Sequence, residues 1–309
     1  MFNPENLMLF WTFIAERQWI WHRRFIEKLP PPWTNDDTLR VERFTNVYRE
    51  LDPGTKYVIE MILEQDEMRS DKIFNAMLYR LIGRSDTHAT LGFQRLRNFS
   101  AHDLESKLKY IRDVEKKTPF TGAYMVSAYT KMGSKDKIEN IARLFDKISL
   151  QFEDLYNEIE QSKSSEDVYY ILRKPYGFGN FLSYQVLVDL LYPLNICGNK
   201  PLLPFSHNDW ASAGPGAQRG IRILLKDKRS IDHLSVMVWL TQNQQNQFKK
   251  FNIEFPFLKN STGDKNLLSL ANIQNCLCEF HKYVKIREKT GRGRRKFHPA
   301  TQQLKLFEF

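Results

Sequence analysis

The 309-residue chain carries 46 Lys and Arg against 36 Asp and Glu, a formal charge of +10 that favours a polyanionic partner. Its length suffices for a sizeable core in one large domain or two lobes. No apolar run is long enough to span a bilayer, Glu5 and Glu16 interrupt any signal-peptide pattern, and three cysteines make no complete disulfide framework. A reducing cytoplasm without membrane contact is the expected setting.

Asn3-Pro4-Glu5 reads as a helix start, with Asn as N-cap and Pro at the first helical position. Leu9, Phe10, Phe13, Ile14, Trp21 and Ile26 follow at helical spacing, up to the stop at Pro30-Pro31-Pro32. The side bearing Arg17, His22, Arg23 and Arg24 reads as a solvated face before a phosphate contact. Asn35 or Asp36 begins a second predicted helix containing Arg40, Arg43, Phe44, Asn46, Val47, Tyr48 and Arg49. On a helix Arg43, Asn46 and Glu50 share a face, while Arg49 lies elsewhere. This cluster is either an internal network with Asp52 or the lining of a pocket.

From Thr55 to Arg84 apolar residues again recur at helical spacing, with Asn75 and Arg80 as polar exceptions expected at the surface. Thr87 to Leu108 reads as two short helices, the second capped near Ser100. Phe120 to Tyr124 opens an apolar segment in which Tyr124 suits a core more than base stacking. Ser134 to Ser162 is predicted as one amphipathic helix, and the polar stretch from Ser162 to Asp167 as the boundary between two lobes.

The chemistry concentrates between Leu172 and Gly220. Lys174-Pro175-Tyr176-Gly177-Phe178-Gly179 is a tight connection between two apolar helices, the second beginning near Asn180. Gly177 and Gly179 can adopt positive φ, and the N–H groups opening the next helix make an anion site. That is the anatomy of a helix-hairpin-helix, which grips a DNA phosphate without reading sequence; a plain tight turn is the alternative. Lys174, Gly177, Gly179 and Asn180 are therefore candidate DNA contacts. Further on, Ser206-His207-Asn208-Asp209-Trp210 offers acid–base groups beside an aromatic. Gly214-Pro215-Gly216-Ala217-Gln218-Arg219-Gly220 opens another helix, whose first turns hold a cation where the dipole calls for an anion.

Ile231 to Phe248 reads as helix, Phe251 to Leu258 as extended chain, and Leu267 to Tyr283 as helix. Lys285 to Lys296, with Arg294 and Arg295, is basic and glycine-rich, an arm suited to nucleic acid. Cys276, Cys278, His281 and Cys197 suggest a metal only superficially, because thiols two residues apart on a helix face different sides. No metal and no cofactor are expected. No G-K-[ST] phosphate loop occurs, which argues against phosphorylation from ATP by this chain alone.

The segments Arg43 to Asp52, Phe120 to Tyr129, Gly177 to Gln185, Ala213 to Gly220 and Asn275 to Tyr283 resemble those of one family. It is the α-glutamyl/putrescinyl-thymine pyrophosphorylase family, which takes in the helical domain of 5-hydroxymethyl-deoxyuridine DNA kinases and the amino-acid:DNA transferases. The resemblance runs in order along nearly the whole chain, and His281 departs from it where the family pattern has Asp. It implies phage thymine hypermodification in the host cytoplasm, and a distant likeness to helix-hairpin-helix DNA glycosylases.

The implied fold is all-α and two-lobed. Residues 1–162 would form an N-terminal helical lobe, 163–284 the helix-hairpin-helix catalytic lobe and 285–309 a basic tail. The implied substrate is duplex DNA carrying a flipped 5-substituted uracil, with an amine or amino acid as donor and a DNA kinase as partner. By position in the wider superfamily Asp209 would be the acid–base residue. Arg219, Arg43 and Asn46 would attend the reacting base, and Gly214, Gly216, Arg219 and Arg49 would hold pyrophosphate. A glycosylase for a modified pyrimidine, with Lys174 as the nearby amine, and a non-catalytic DNA-binding module remain alternatives.

Overall fold

The computed structural model describes residues 2–260, 262–293 and 296–297. Among these residues the helices are α1 (Pro4–Phe25), α2 (Asp37–Val41), α3 (Pro53–Val58), α4 (Arg69–Ile82), α5 (Ser85–Leu91), α6 (Ala101–Asp113) and α7 (Lys137–Leu150). They continue with α8 (Phe152–Glu160), α9 (Ser165–Leu172), α10 (Asn180–Leu190), α11 (Pro215–Leu224), α12 (His233–Lys250) and α13 (Leu270–Arg287). Strand is limited to two antiparallel ribbons, β1 (Pro193–Leu194) with β2 (Lys200–Pro201) and β3 (Leu258–Lys259) with β4 (Lys265–Asn266). The chain is all-α, as its periodicity predicts. Among the described residues no helix is long and apolar enough to cross a membrane.

Local signals account for many helix starts. The Asn3 side chain accepts from the amides of Glu5 at 3.0 Å and Asn6 at 3.1 Å, and Pro4 opens α1. Ser100, Asp136, Ser164, Asp232 and Ser269 cap α6, α7, α9, α12 and α13 in the same way.

Tertiary contacts override other expectations. The helix predicted through Arg49 stops at Val41, and the chain runs on without helix to a 3-10 turn at Arg49–Leu51. Side chains take the backbone groups a helix would have used. The Thr45 amide donates to Glu279 at 3.1 Å, the Asn46 amide donates to Asp52 at 2.9 Å, and the Asn46 carbonyl accepts from Asn275 at 3.2 Å. The single helix predicted from Ser134 to Ser162 is two, α7 and α8, separated at Gln151.

The chain forms two compact units, one built from Met1–Asp52 with Ala211–Phe309 and the other from Pro53–Trp210. This division differs from a boundary at 162/163, because the Ser162–Asp167 stretch is a capped turn joining α8 to α9 within the second unit. The described residues beyond 284 also belong to the first unit. α13 continues to Arg287, Lys296 pairs with Glu42, and the Phe297 amide donates to the Val41 carbonyl at 2.9 Å.

In the first unit α1 packs on α11 and α13, with Phe10 edge-on to Phe280 at 5.3 Å and Phe13 beside Tyr283 at 4.8 Å. In the second unit α4 is central, and Phe74 meets Phe145 at 5.5 Å and Phe152 at 5.3 Å. Each such ring, fully buried, contributes about 1.5–3 kcal/mol. Asn75 and Arg80, expected at the surface, are tied inside this unit. Asn75 is fully buried and bonds Asp71 and Gln94 through both ends of its amide.

Candidate functional site

In the second unit α9 and α10 pack together across the connection 173–179, which is a tight turn between two helices. Gly177 has φ of +91°, and a Cβ there would lie 2.9 Å from both Leu144 and the Tyr129 ring. Gly179 differs from the expectation of a positive φ. It is extended at φ −81° and ψ −176°, serves as the N-cap of α10, and has open space where a Cβ would sit.

Buried groups hold the hairpin shut. Phe178 is a buried plug, and the Ser183 hydroxyl donates to the Leu172 carbonyl at 3.0 Å. No side-chain hydrogen bond caps α10, and Gly179, Asn180 and Phe181 at its start are exposed. Lys174 is exposed and paired with Glu158.

Asp209, also in this unit, closes a short turn. Its carboxylate accepts from the Ser206 amide and from the Ser206 hydroxyl, each at 2.8 Å, and it remains exposed. Each carboxylate oxygen keeps a lone pair for another donor. His207 packs on Tyr192 with ring centroids 4.5 Å apart, and Trp210 lies on Tyr169 at 4.9 Å.

One strong polar feature of this unit was missed in the sequence. Arg80 on α4 grips the fully buried Asp189 on α10 through two nitrogens, one at 2.5 Å. Burial works against the Arg80 charge, but the Asp189 carboxylate overcomes it and holds the guanidinium protonation firmly up. The available signal was a lone carboxylate between Val188 and Leu190 in an apolar run.

In the first unit the glycine-rich start of α11 serves packing. A Cβ on Gly216 would strike the Cys278 sulfur, and one on Gly220 the Leu277 carbonyl, so both glycines let α11 lie directly on α13. Gly214, the N-cap, is the glycine left with open space. Arg219 is exposed on α11, near Cys278 and His281.

Segments 43–52 and 275–283 meet in the same unit around a polar cluster. Arg17 donates to the carbonyls of Phe44 at 3.2 Å and Thr45 at 2.9 Å, and the Arg49 amide donates to Asn272 at 3.0 Å. Asp52 lies between them. Burial pushes its carboxyl up to about 6, against the amide of Asn46 and the charges of Arg49 and Arg17. Asn46 donates to the Leu51 carbonyl at 3.0 Å, so it braces this loop, and Arg49 is buried. Arg43 is exposed, and its carbonyl accepts from Lys282. Arg17, expected on a solvated face, is instead buried, because its guanidinium is spent on these loop carbonyls; Asn272 and Glu279 were not singled out in the sequence, although Glu279 lies inside one of the family-like segments.

The Cys276 thiol faces the Val47 carbonyl and is pushed up by burial, whereas Cys278 lies against Gly216 and is pushed up to about 11. Arg294 and Arg295, the expected DNA contacts of the tail, lie outside the described residues.

The model for the helical domain of 5-hmdU DNA kinase matches residues 5–293. A curated relative, the 5-hmdU DNA kinase of Bacillus phage SP10, is 28% identical over 296 residues, covering 91% of this chain and 46% of that protein. The chain thus spans about half the length of the curated relative it matches. No solved structure matches it. The matched range takes in both compact units, the α9–α10 hairpin, the Asp209 turn and the α11–α13 contact alike. The chain belongs to the 5-hmdU DNA kinase helical-domain family.

Proposed function

We propose that this protein acts in the modification of hydroxymethyluracil-type bases in DNA, and that its own step replaces the pyrophosphate of 5-pyrophosphoryloxymethyl-uracil by an amine or amino acid. The observation that carries the reading is the uncapped, open start of α10 at Gly179 in a chain of this family. Uncapped amides at a helix start suit a backbone phosphate, and a phosphate grip at the hairpin leaves the base free to be flipped.

In the proposed step the amine nitrogen bonds to the 5-methylene carbon as the carbon–oxygen bond to pyrophosphate breaks. Pyrophosphate leaves with the electron pair, and the proton lost by nitrogen passes to Asp209. Ser206 would orient that carboxylate through its two donors. Taken by themselves, Arg219 and the open amides after Gly214 are a candidate anion site of the first unit. Within the first unit Arg43 is exposed and available to DNA, whereas Asn46 and Arg49 brace their own loop from inside. The phosphorylated base would come from a DNA kinase, since no G-K-[ST] loop occurs in this sequence. Pairing of Lys174 with Glu158 disfavours the alternative in which that lysine attacks a sugar as a glycosylase-lyase would.

The test is mass spectrometry of nucleosides from DNA bearing the pyrophosphorylated base, after incubation with the protein and a panel of amines. An amine-adducted thymidine is expected. Asp209→Asn should abolish the adduct while leaving DNA affinity within about twofold. Release of free base, or full activity in the Asn variant, would overturn the reaction or the role of Asp209 respectively.

A further inference from the structure

The first unit holds a pocket of about 340 Å³ lined by the first turns of α1, the end of α11, the chain after it and the C-terminal half of α13. Its polar lining is Asn6, Lys228, His281, Lys285, Glu288 and Thr290, three basic groups against one carboxylate. Asn6 is spent on the fold, donating to the Ile223 carbonyl at 2.7 Å. Neither Lys228 nor Lys285 forms an ion pair among the described residues. Burial, followed by the charges of Arg219 and Lys285, holds the His281 imidazole below its ordinary range. Cations gathered in a concave site repel one another, and an anion reverses that repulsion.

Lys285 is also held in place. The Thr290 amide and hydroxyl donate to its carbonyl at 2.9 and 3.2 Å, which folds the chain back. The Lys285 methylenes then run across Gly291, where a Cβ would have no room.

We propose that this pocket is a phosphate site ligated by Lys228, His281 and Lys285. Its ligand is either a backbone phosphate of DNA or the pyrophosphate released at the base. The second source rests on the transferase reading above; the first does not.

The full chain and its Lys228→Ala/Lys285→Ala variant are titrated with inorganic pyrophosphate by calorimetry, and with an unmodified duplex over a range of salt. Lys259→Ala/Lys265→Ala on the β3–β4 ribbon is the control with equal charge loss. Pyrophosphate affinity reduced at least tenfold relative to the control assigns the site to the free anion. A DNA salt slope shallower by about 1–2 assigns it to backbone phosphates. Gly291→Ala keeps every charge and moves only the Lys285 stem, so it should weaken the same readout about threefold. Control-like binding of both ligands in both variants overturns the phosphate site. Because binding is read without turnover, loss of pyrophosphate binding beside an absent amine adduct would leave the site standing and sink the transferase. An adduct formed by variants with control-like binding would do the reverse.

Discussion

Asp52→Asn is the most direct test of the polar cluster in the first unit. An ordinary aspartate ionises near 3.8, and burial lifts Asp52 to about 6 despite the neighbouring Arg49 and Arg17. The folded state therefore holds this proton more tightly than the unfolded chain. The group's contribution is fully present below about pH 4 and is lost as pH rises through 6. A shift of about two units corresponds to roughly 3 kcal/mol. Asparagine keeps an oxygen for the Asn46 amide and never ionises. The variant should accordingly gain about 2 kcal/mol on wild type between pH 4.5 and 7.5. With a urea dependence of about 1–3 kcal/mol/M, the midpoint difference should change by about 1 M or more. Tryptophan fluorescence reads the right transition, because Trp11, Trp19, Trp21, Trp33 and Trp239 belong to the first unit and only Trp210 to the second. A relative stability that stays flat or falls with pH would refute the reasoning, and would mean that the ionised Asp52 is bound to Arg17 and Arg49 with net gain.

Other perturbations probe the remaining features. Asp189→Asn strips the charge from the buried partner of Arg80 and should cost about 3–5 kcal/mol, visible as a lowered melting temperature of the second unit. Gly220→Ala drives a methyl into the Leu277 carbonyl on α13 and should cost at least about 1–3 kcal/mol in urea unfolding, without recovery at any pH. Gly179→Asp fits the extended backbone and caps α10, so stability should rise by a few tenths of a kcal/mol while DNA affinity falls about tenfold. Unchanged DNA binding in that variant would remove the hairpin from the interface.

Helix starts were legible because their signals are local, as in Asn3-Pro4-Glu5 and the Ser100 cap. The turn at Gly177 was legible for the same reason, two glycines between apolar helices. Segment 43–48 was misread because its backbone bonds go to Glu279 and Asn275, more than 200 positions away. Arg80 was taken for a surface residue because nothing near it announces Asp189. The glycines of α11 look alike in sequence for anion binding and for helix contact, and only the position of α13 separates Gly214 from Gly216 and Gly220. Lys228 and Lys285 lie too far apart in sequence to suggest a shared pocket.

The first unit is assembled from both ends of the chain, while the second is one uninterrupted stretch. During synthesis the second unit leaves the ribosome whole, with α4 and α10 both available to bury Arg80 and Asp189. α1 has no such opportunity. Its apolar face, with Phe10 and Phe13, has to wait for α13, which at about 5–20 residues per second arrives on the order of 10–50 s later. Over that interval the nascent α1 is the segment most in need of a chaperone.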